Sequence, residues 1–165
     1  MKAAPIPAIA ANLLGYCAET GKLWWLESRN GYVPAGAEAG CLENGRRRIV
    51  LDGKSYLAHR VAYFLHTGRQ PPPFLDHADG NPSNNRFGNL RPATRRQNNR
   101  NKGTYRNNTT GIKGVVVCRK SGKFRARIGI DGKKVCLGRF DTAQEAAMAY
   151  EAAAKRAYGE FFRPN

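Results

Sequence analysis

Asp76 and His77 are adjacent, Asn89 follows His77 by twelve residues and Asn98 by twenty-one, in a segment otherwise crowded with arginine. These residue types can divide a hydrolytic task among them. An imidazole titrates near neutral pH and can take a proton from water. A side-chain or backbone carbonyl against its far ring nitrogen fixes the tautomer that leaves the other nitrogen free. A carboxylate and an amide oxygen are hard donors for a small divalent cation. Hydrolysis of a phosphodiester calls for this set: a water deprotonated in line with the leaving oxygen, and charge neutralised at phosphorus. In that reading His77 is the general base, Asn89 orients it, and Asp76 with Asn98 supplies the protein ligands of one Mg²⁺ or Mn²⁺. The plainer alternative makes Asp76 a turn residue and Asn89 and Asn98 Asx caps. Asn99 and Asn101 are near enough to Asn98 to compete for its place. Asp79, just before Gly80-Asn81-Pro82, reads as a turn residue.

Holding a cation at one spot takes a rigid frame, and the flanking pattern supplies one. Phe74 to His77 reads as a short strand, Gly80-Asn81-Pro82 as a turn opening an Asn-rich loop, and Asn89-Leu90-Arg91 as a returning strand. Thr94 can cap a helix running to about Asn101. Upstream, Ala58 to His66 carries apolar residues at 58, 61, 62 and 65, a helical spacing that Gly68 and Pro71 to Pro73 stop. On that helix His59 is expected to be a hydrogen-bonded packing residue and His66 to sit near the C-terminus. Arg60 is either a phosphate contact or a solvated charge. Two hairpins are expected before it: Tyr16 to Trp25 turning at Glu19 to Lys22, and Arg46 to Leu51 with Lys54 to Leu57 across Asp52-Gly53. Gly31 to Gly45 reads as loop.

Downstream, residues 101–110 are polar and contain glycine, the composition of a linker. In Phe124-Arg125-Ala126-Arg127-Ile128-Gly129-Ile130, the even positions share an apolar face and Arg125, Arg127 and Gly129 share the other. Val115 to Cys118 precedes this strand across Ser121-Gly122, and Lys134 to Leu137 follows across Asp131-Gly132, so three antiparallel strands are expected. Thr142 and Glu145 form a capping box, and Ala146, Ala149, Tyr150, Ala153 and Ala157 make a small-residue stripe suited to close packing on a sheet.

The chain has 165 residues, with 28 Lys plus Arg against 12 acids, a net charge of +16. Such an excess points to a polyanionic partner, nucleic acid first, rather than to a small-molecule role. Residues 51–110 contain ten basic residues but three acids, two of which are Asp76 and Asp79. Carboxylates kept only beside a histidine on a basic surface invite a cation between protein and phosphate. Cys17, Cys41, Cys118 and Cys136 show no Cys-x-x-Cys pairing, so free thiols are expected, and with hard oxygen donors at the site no zinc is expected. The Ala-rich N-terminus is broken by Pro5 and Pro7, and no apolar run reaches membrane-spanning length; an intracellular protein with no membrane partner is expected.

The pattern from Ala58-His59-Arg60-Val61-Ala62-Tyr63 through Leu75-Asp76-His77-Ala78-Asp79-Gly80-Asn81, Asn85-Arg86, Asn89-Leu90-Arg91 and Gln97-Asn98 strongly resembles the HNH homing endonucleases of phages and other mobile elements, whose catalytic core is the ββα-metal fold. The Tyr16 to Trp25 hairpin is similar to the N-terminal segment common in these proteins. Residues 111–164, with Gly114-Val115, Leu137-Gly138-Arg139-Phe140-Asp141-Thr142 and Ala146-Ala147 before Ala149-Tyr150, are similar to the AP2 DNA-binding domain. Together the resemblances imply an α+β chain in four parts: a β-rich segment at 1–56 packing on the core, an HNH nuclease core at 57–101, a linker at 102–110, and an AP2-like domain at 111–165.

The resemblance gives His77 and Asn89 catalytic roles and makes Asp76 and Asn98 the metal ligands, Asn98 standing where the family has His or Asn. It implies that the C-terminal sheet enters the DNA major groove, which admits β-strands. Lys113, Arg119, Lys120, Arg127 and Lys134 fall at the family's contact positions, and Arg125 shares their face. Lys120 and Cys136 lie at or near the positions of the tryptophans typical of plant members, so a target sequence does not transfer. The function implied is metal-dependent cleavage of DNA, with no small-molecule cofactor, by a phage or mobile-element enzyme in a bacterial host. Nicking or double-strand cleavage, and monomer or dimer, stay open. A non-catalytic DNA-binding regulator is the alternative; RNA binding is weaker, because Phe124 falls on the core face and leaves no aromatic platform.

Overall fold

The structure, a computed structural model, describes residues 4–101, 103–104 and 107–163. It divides into two compact units, Met1–Asn98 and Asn99–Asn165. The division falls inside a helix, three residues before the expected linker; Lys102, Tyr105 and Arg106 of that linker lie outside the described residues. Among the described residues no helix is long and apolar enough to cross a membrane.

The first unit opens with one helical turn, α1 (Ala10–Leu13), and a hairpin of β1 (Leu14–Tyr16) and β2 (Leu23–Trp25), paired antiparallel with Tyr16 opposite Leu23. A second sheet has the order β3 (Cys41–Glu43), β4 (Arg46–Leu51), β5 (Lys54–Leu57). Asp52 and Gly53 take positive φ, 47° and 71°, as a two-residue hairpin turn requires. Strand β3 lies where a loop was expected. It is joined to β4 by Asn44-Gly45 in the same conformation, φ 51° and 72°, and that Asn-Gly pair is the signal by which it was legible. Helix α2 (Ala58–Thr67) ends at Gly68 in the left-handed region, φ 68°.

Next come β6 (Leu75–His77) and β7 (Leu90–Pro92), paired antiparallel, and α3 (Arg95–Asn101). The helix start carries a reciprocal cap: Gln97 N donates to Thr94 Oγ1 at 3.2 Å and Thr94 N to Gln97 Oε1 at 2.7 Å. Residues from α1, β1, β2, β4 and α2 form one core, with Leu75 and Leu90 at its edge on β6 and β7. Burial of each large aliphatic there contributes about 1.5–3 kcal/mol, and this core fixes the two short strands in space.

The second unit is a three-stranded antiparallel sheet, β8 (Val115–Val117), β9 (Phe124–Ile130) and β10 (Lys133–Phe140), ordered β10-β9-β8, with α4 (Ala143–Tyr158) packed on it. Ala126 and Ile128 are buried, so the alternation along β9 sorts its faces as the sequence pattern does. The Thr142–Glu145 capping box is present. The buried stripe of α4 is Ala146, Tyr150 and Ala154; Ala149, Ala153 and Ala157 flank it. Gly114 allows the close approach of α4, since a Cβ there would sit 2.1 Å from the Tyr150 ring, and its φ of 78° suits glycine.

Candidate active site

The β6 and β7 register sets Asp76 opposite Arg91 and His77 opposite Leu90, and all of β6 is buried. Asp76 and His77 alternate across the strand, so the carboxylate and the imidazole leave it on opposite sides. Arg91 Nη2 donates to Asp76 Oδ2 at 3.1 Å, and Arg91 Nε to the same oxygen at 3.3 Å. A buried carboxylate needs such a cation, because burial without a partner disfavours the ionised form.

His77 Nε2 lies 3.2 Å from Asn85 Oδ1, and Asn85 is itself buried. With an amide oxygen before it, Nε2 carries the proton and the ring's lone pair falls on Nδ1. The His59 ring stands edge-on to His77, centroids 4.9 Å apart and planes at 74°. Burial pushes the His77 pKa below the ordinary imidazole value; the Asn85 bond, Asp79 and Asp76 oppose this shift, and Arg46 adds to it. His77 is therefore neutral at pH 7, the state a general base requires. Burial, with smaller contributions from His77, Arg46 and Arg60, takes His59 down to about 3. His59 is a neutral packing partner of the His77 ring, and Arg46, at the start of β4, acts on both imidazoles.

Asn89 does not take the expected place behind the His77 ring; its side chain bonds Asp79 and Asn84 instead. Asn89 O accepts from Ala78 N at 2.8 Å. Its side chain accepts from Asp79 N at 3.0 Å and donates to Asp79 Oδ1 at 3.0 Å and Asn84 O at 2.8 Å. Asn89 thus closes the loop that follows His77, and Asn85 takes the place against the ring. Four asparagines lie between Gly80 and Leu90, and their letters alone do not tell which is buried. Asp79 is the hub of the loop, bonded also by Asn81 N at 2.7 Å and Asn84 Nδ2 at 2.8 Å. Burial pushes its carboxyl pKa up, but the bonds from Asn84, Asn81 and Asn89 outweigh this and hold it below the usual value.

The N-terminal hairpin positions Asn85. Tyr16 Oη donates to Asn85 O at 2.8 Å, and Phe87 N donates to Ala18 O at 3.0 Å. Gly21, at φ 74°, lets the hairpin turn press on this segment; a Cβ there would lie 2.5 Å from Arg86 N. Arg60 is neither solvated nor poised for phosphate: its guanidinium donates to Pro72 O at 2.9 Å and Pro71 O at 3.3 Å and anchors the approach to β6. His66 packs on the Phe87 ring, centroids 3.8 Å apart.

Asn98 lies one turn into α3, half-buried, its backbone N–H bonded to Thr94 O. Its side-chain amide has no hydrogen-bond partner among the described residues. Among the described residues no group of three or more His, Cys, Asp or Glu gathers as a metal cage. Asp76 and Asn98 each offer a hard oxygen, the donor type that suits a cation that keeps waters and takes phosphate oxygens, as Mg²⁺ does.

In the second unit, cross-strand pairing gathers Arg127 opposite Cys136, Lys134 opposite Gly129, and Arg139 opposite Arg125 on one outward face. Arg139 was not among the expected contacts; a register shift between Cys136 and Gly138 brings it there. Arg119 and Lys120 are exposed in the turn after β8, and Arg125 is half-buried with Nε enclosed. Lys113, another expected contact, is half-buried, and its ammonium donates to Arg100 O at the end of α3. Burial, and Arg163 secondarily, lowers its pKa.

Residues 56–100 match the HNH endonuclease family. The chain is 31% identical over 90 residues to Protein 3.8 of Escherichia phage T7, covering 54% of this chain and 74% of that protein. It is 33% identical over 115 residues to an uncharacterized HNH endonuclease of Acanthamoeba polyphaga mimivirus, covering 68% of this chain and 58% of the viral one. No solved structure gives a significant match.

Proposed function

This chain belongs to a family with Protein 3.8 of Escherichia phage T7 and carries an HNH endonuclease domain at residues 56–100, and from that premise we propose that it is a metal-dependent DNA endonuclease delivered to its site by its C-terminal sheet. HNH nucleases generally depend on a divalent metal. The observation that carries the reading is the buried Asp76-His77 pair on β6, with an amide oxygen 3.2 Å from His77 Nε2 and Arg91 on Asp76.

The division of labour follows from these groups. His77, neutral at pH 7, takes a proton from water at Nδ1, while Asn85 keeps the other nitrogen protonated. Asp76 and Asn98 would hold one Mg²⁺ or Mn²⁺, which when bound neutralises charge at the phosphate and the leaving oxygen. Asn89 and Asp79 hold the intervening loop, so that Asn85 and His77 stay in register.

We read the second unit as an AP2-like DNA reader. Arg125 and Arg139 face each other directly across β9 and β10, and like charges so placed are destabilising unless an anion lies over them. A phosphate backbone is such an anion. Arg119, Lys120, Arg125, Arg127, Lys134 and Arg139 are its contacts, with Lys113 acting from below as an anchor. A phage or mobile-element enzyme that acts on DNA inside a host cell fits the viral relatives. Incubating supercoiled plasmid with the pure chain and Mg²⁺ should yield nicked or linear DNA, and EDTA should stop it. Unchanged plasmid under Mg²⁺ and Mn²⁺, with binding intact, would point instead to a DNA-binding regulator.

A further inference from the structure

Cleavage of a phosphodiester builds negative charge on both non-bridging oxygens, and one metal ion meets only part of it. Arg91 is engaged with Asp76, so a second positive group has to come from elsewhere in the unit. On β4, Arg46 lies directly opposite Glu43, the natural ion-pair partner across a strand pair. Glu43 instead pairs with Arg48 at 2.6 Å. Arg46 is exposed and makes no ion pair among the described residues.

Its place is fixed from both sides. Asn44-Gly45 forms the tight turn that leads into Arg46, and Ser83 Oγ donates to Gly45 O at 3.2 Å, stapling that turn to the loop that follows His77. The guanidinium is near enough to His59, whose ring stands edge-on to His77 with centroids 4.9 Å apart, to disfavour its protonation beside the larger effect of burial. An arginine held by a strand, close to the base and left without a carboxylate, is arranged to take an oxyanion; its planar fork fits two phosphate oxygens.

We propose that Arg46 is a further catalytic residue, a phosphate-binding arginine that the N-terminal sheet contributes from outside the HNH match at 56–100. The proposal rests on the nuclease reading above and adds to it a named group for the scissile phosphate. It also explains why β3 and β4 are stapled to the catalytic loop, which the fold of the ββα element does not need.

The test is single-turnover cleavage of supercoiled plasmid in Mg²⁺ at saturating protein, with duplex binding measured separately in EDTA. Arg46→Ala should slow cleavage by about a hundredfold or more, the scale of losing one preorganised donor to developing charge, with affinity within about threefold of wild type. Arg46→Lys should recover part of the rate. Lys54→Ala, which removes an exposed charge at the far end of the same sheet, should cut at the wild-type rate. Equal rates for Arg46→Ala and wild type, or a defect abolished by raising the protein concentration, overturn the proposal while the nuclease reading stands. A wild type that binds DNA and cuts none overturns both.

Discussion

Asp76 and Arg91 face each other across the two-stranded β6 and β7 pair, and the guanidinium donates to Asp76 Oδ2 through Nη2 at 3.1 Å and Nε at 3.3 Å, with both side chains largely buried. Arg91 is thus the internal cation of a carboxylate proposed to hold a metal. Removing it leaves a buried charge without compensation, which costs about 3–5 kcal/mol. Arg91→Met should lower the denaturation midpoint in EDTA, and added Mg²⁺ should restore more of that loss than it gives wild type, because a ligand binding only the native state stabilises it. Identical melting of Arg91→Met and wild type in EDTA would remove this role.

Asn85 and Asn89 have separable jobs. Asn85→Ala should slow cleavage about 10- to 100-fold, the scale for losing a group that orients a reactive one, with little change in melting. Asn89→Ala opens three side-chain bonds of the loop and should lower stability by about 1–3 kcal/mol, seen by denaturant unfolding and by faster amide exchange over residues 79–89. The reverse pattern would restore Asn89 to the place behind His77.

His59 gives the fold an acid limit. Its folded pKa of about 3 lies below the ordinary imidazole value of 6.5, so between those limits the unfolded chain binds a proton that the folded chain refuses. Stability is complete above that window and falls as pH drops through it, by at most about 1.4 kcal/mol per pH unit from this residue. Unfolding curves taken from neutral to acid pH should show a shallower decline for His59→Phe than for wild type. Parallel curves would contradict it.

The frame of the site was legible in the sequence because each element carries its own local signal. Thr94 and Gln97 announce the start of α3, Gly68 the end of α2, and the alternation from Phe124 to Ile130 the two faces of β9. Strand β3 was hidden because glycines at 31, 36, 40 and 45 make the whole stretch look like loop, although Asn44-Gly45 marks the turn. Asn85 was hidden for a different reason. Its burial depends on Tyr16, Ala18 and Gly21, which close on it from about seventy residues away, and no local pattern reports such an approach. The placements of Lys113 and Arg139 were hidden likewise, because one depends on an ammonium reaching a helix end and the other on a register shift within β10.

The basic face of the second unit should show itself in salt dependence. Removing one side chain that binds a phosphate lowers the slope of log affinity against log salt by about one. Arg127→Ala and Arg139→Ala should each do so in fluorescence anisotropy with a duplex. Lys113→Ala should leave the slope unchanged and lower the melting temperature, because its ammonium serves Arg100 O. A slope shallower by a full unit in Lys113→Ala would return that residue to the DNA-facing set.

His77 as the base of a metal-dependent DNA cleavage centre is tested by setting wild type beside His77→Ala on supercoiled plasmid with Mg²⁺, with a gel shift of both proteins in EDTA. Wild type should give nicked or linear product, His77→Ala should lose at least about a thousandfold in rate, and the two should give equal shifts. Cleavage by His77→Ala at the wild-type rate, or none by a wild type that binds DNA, would contradict it.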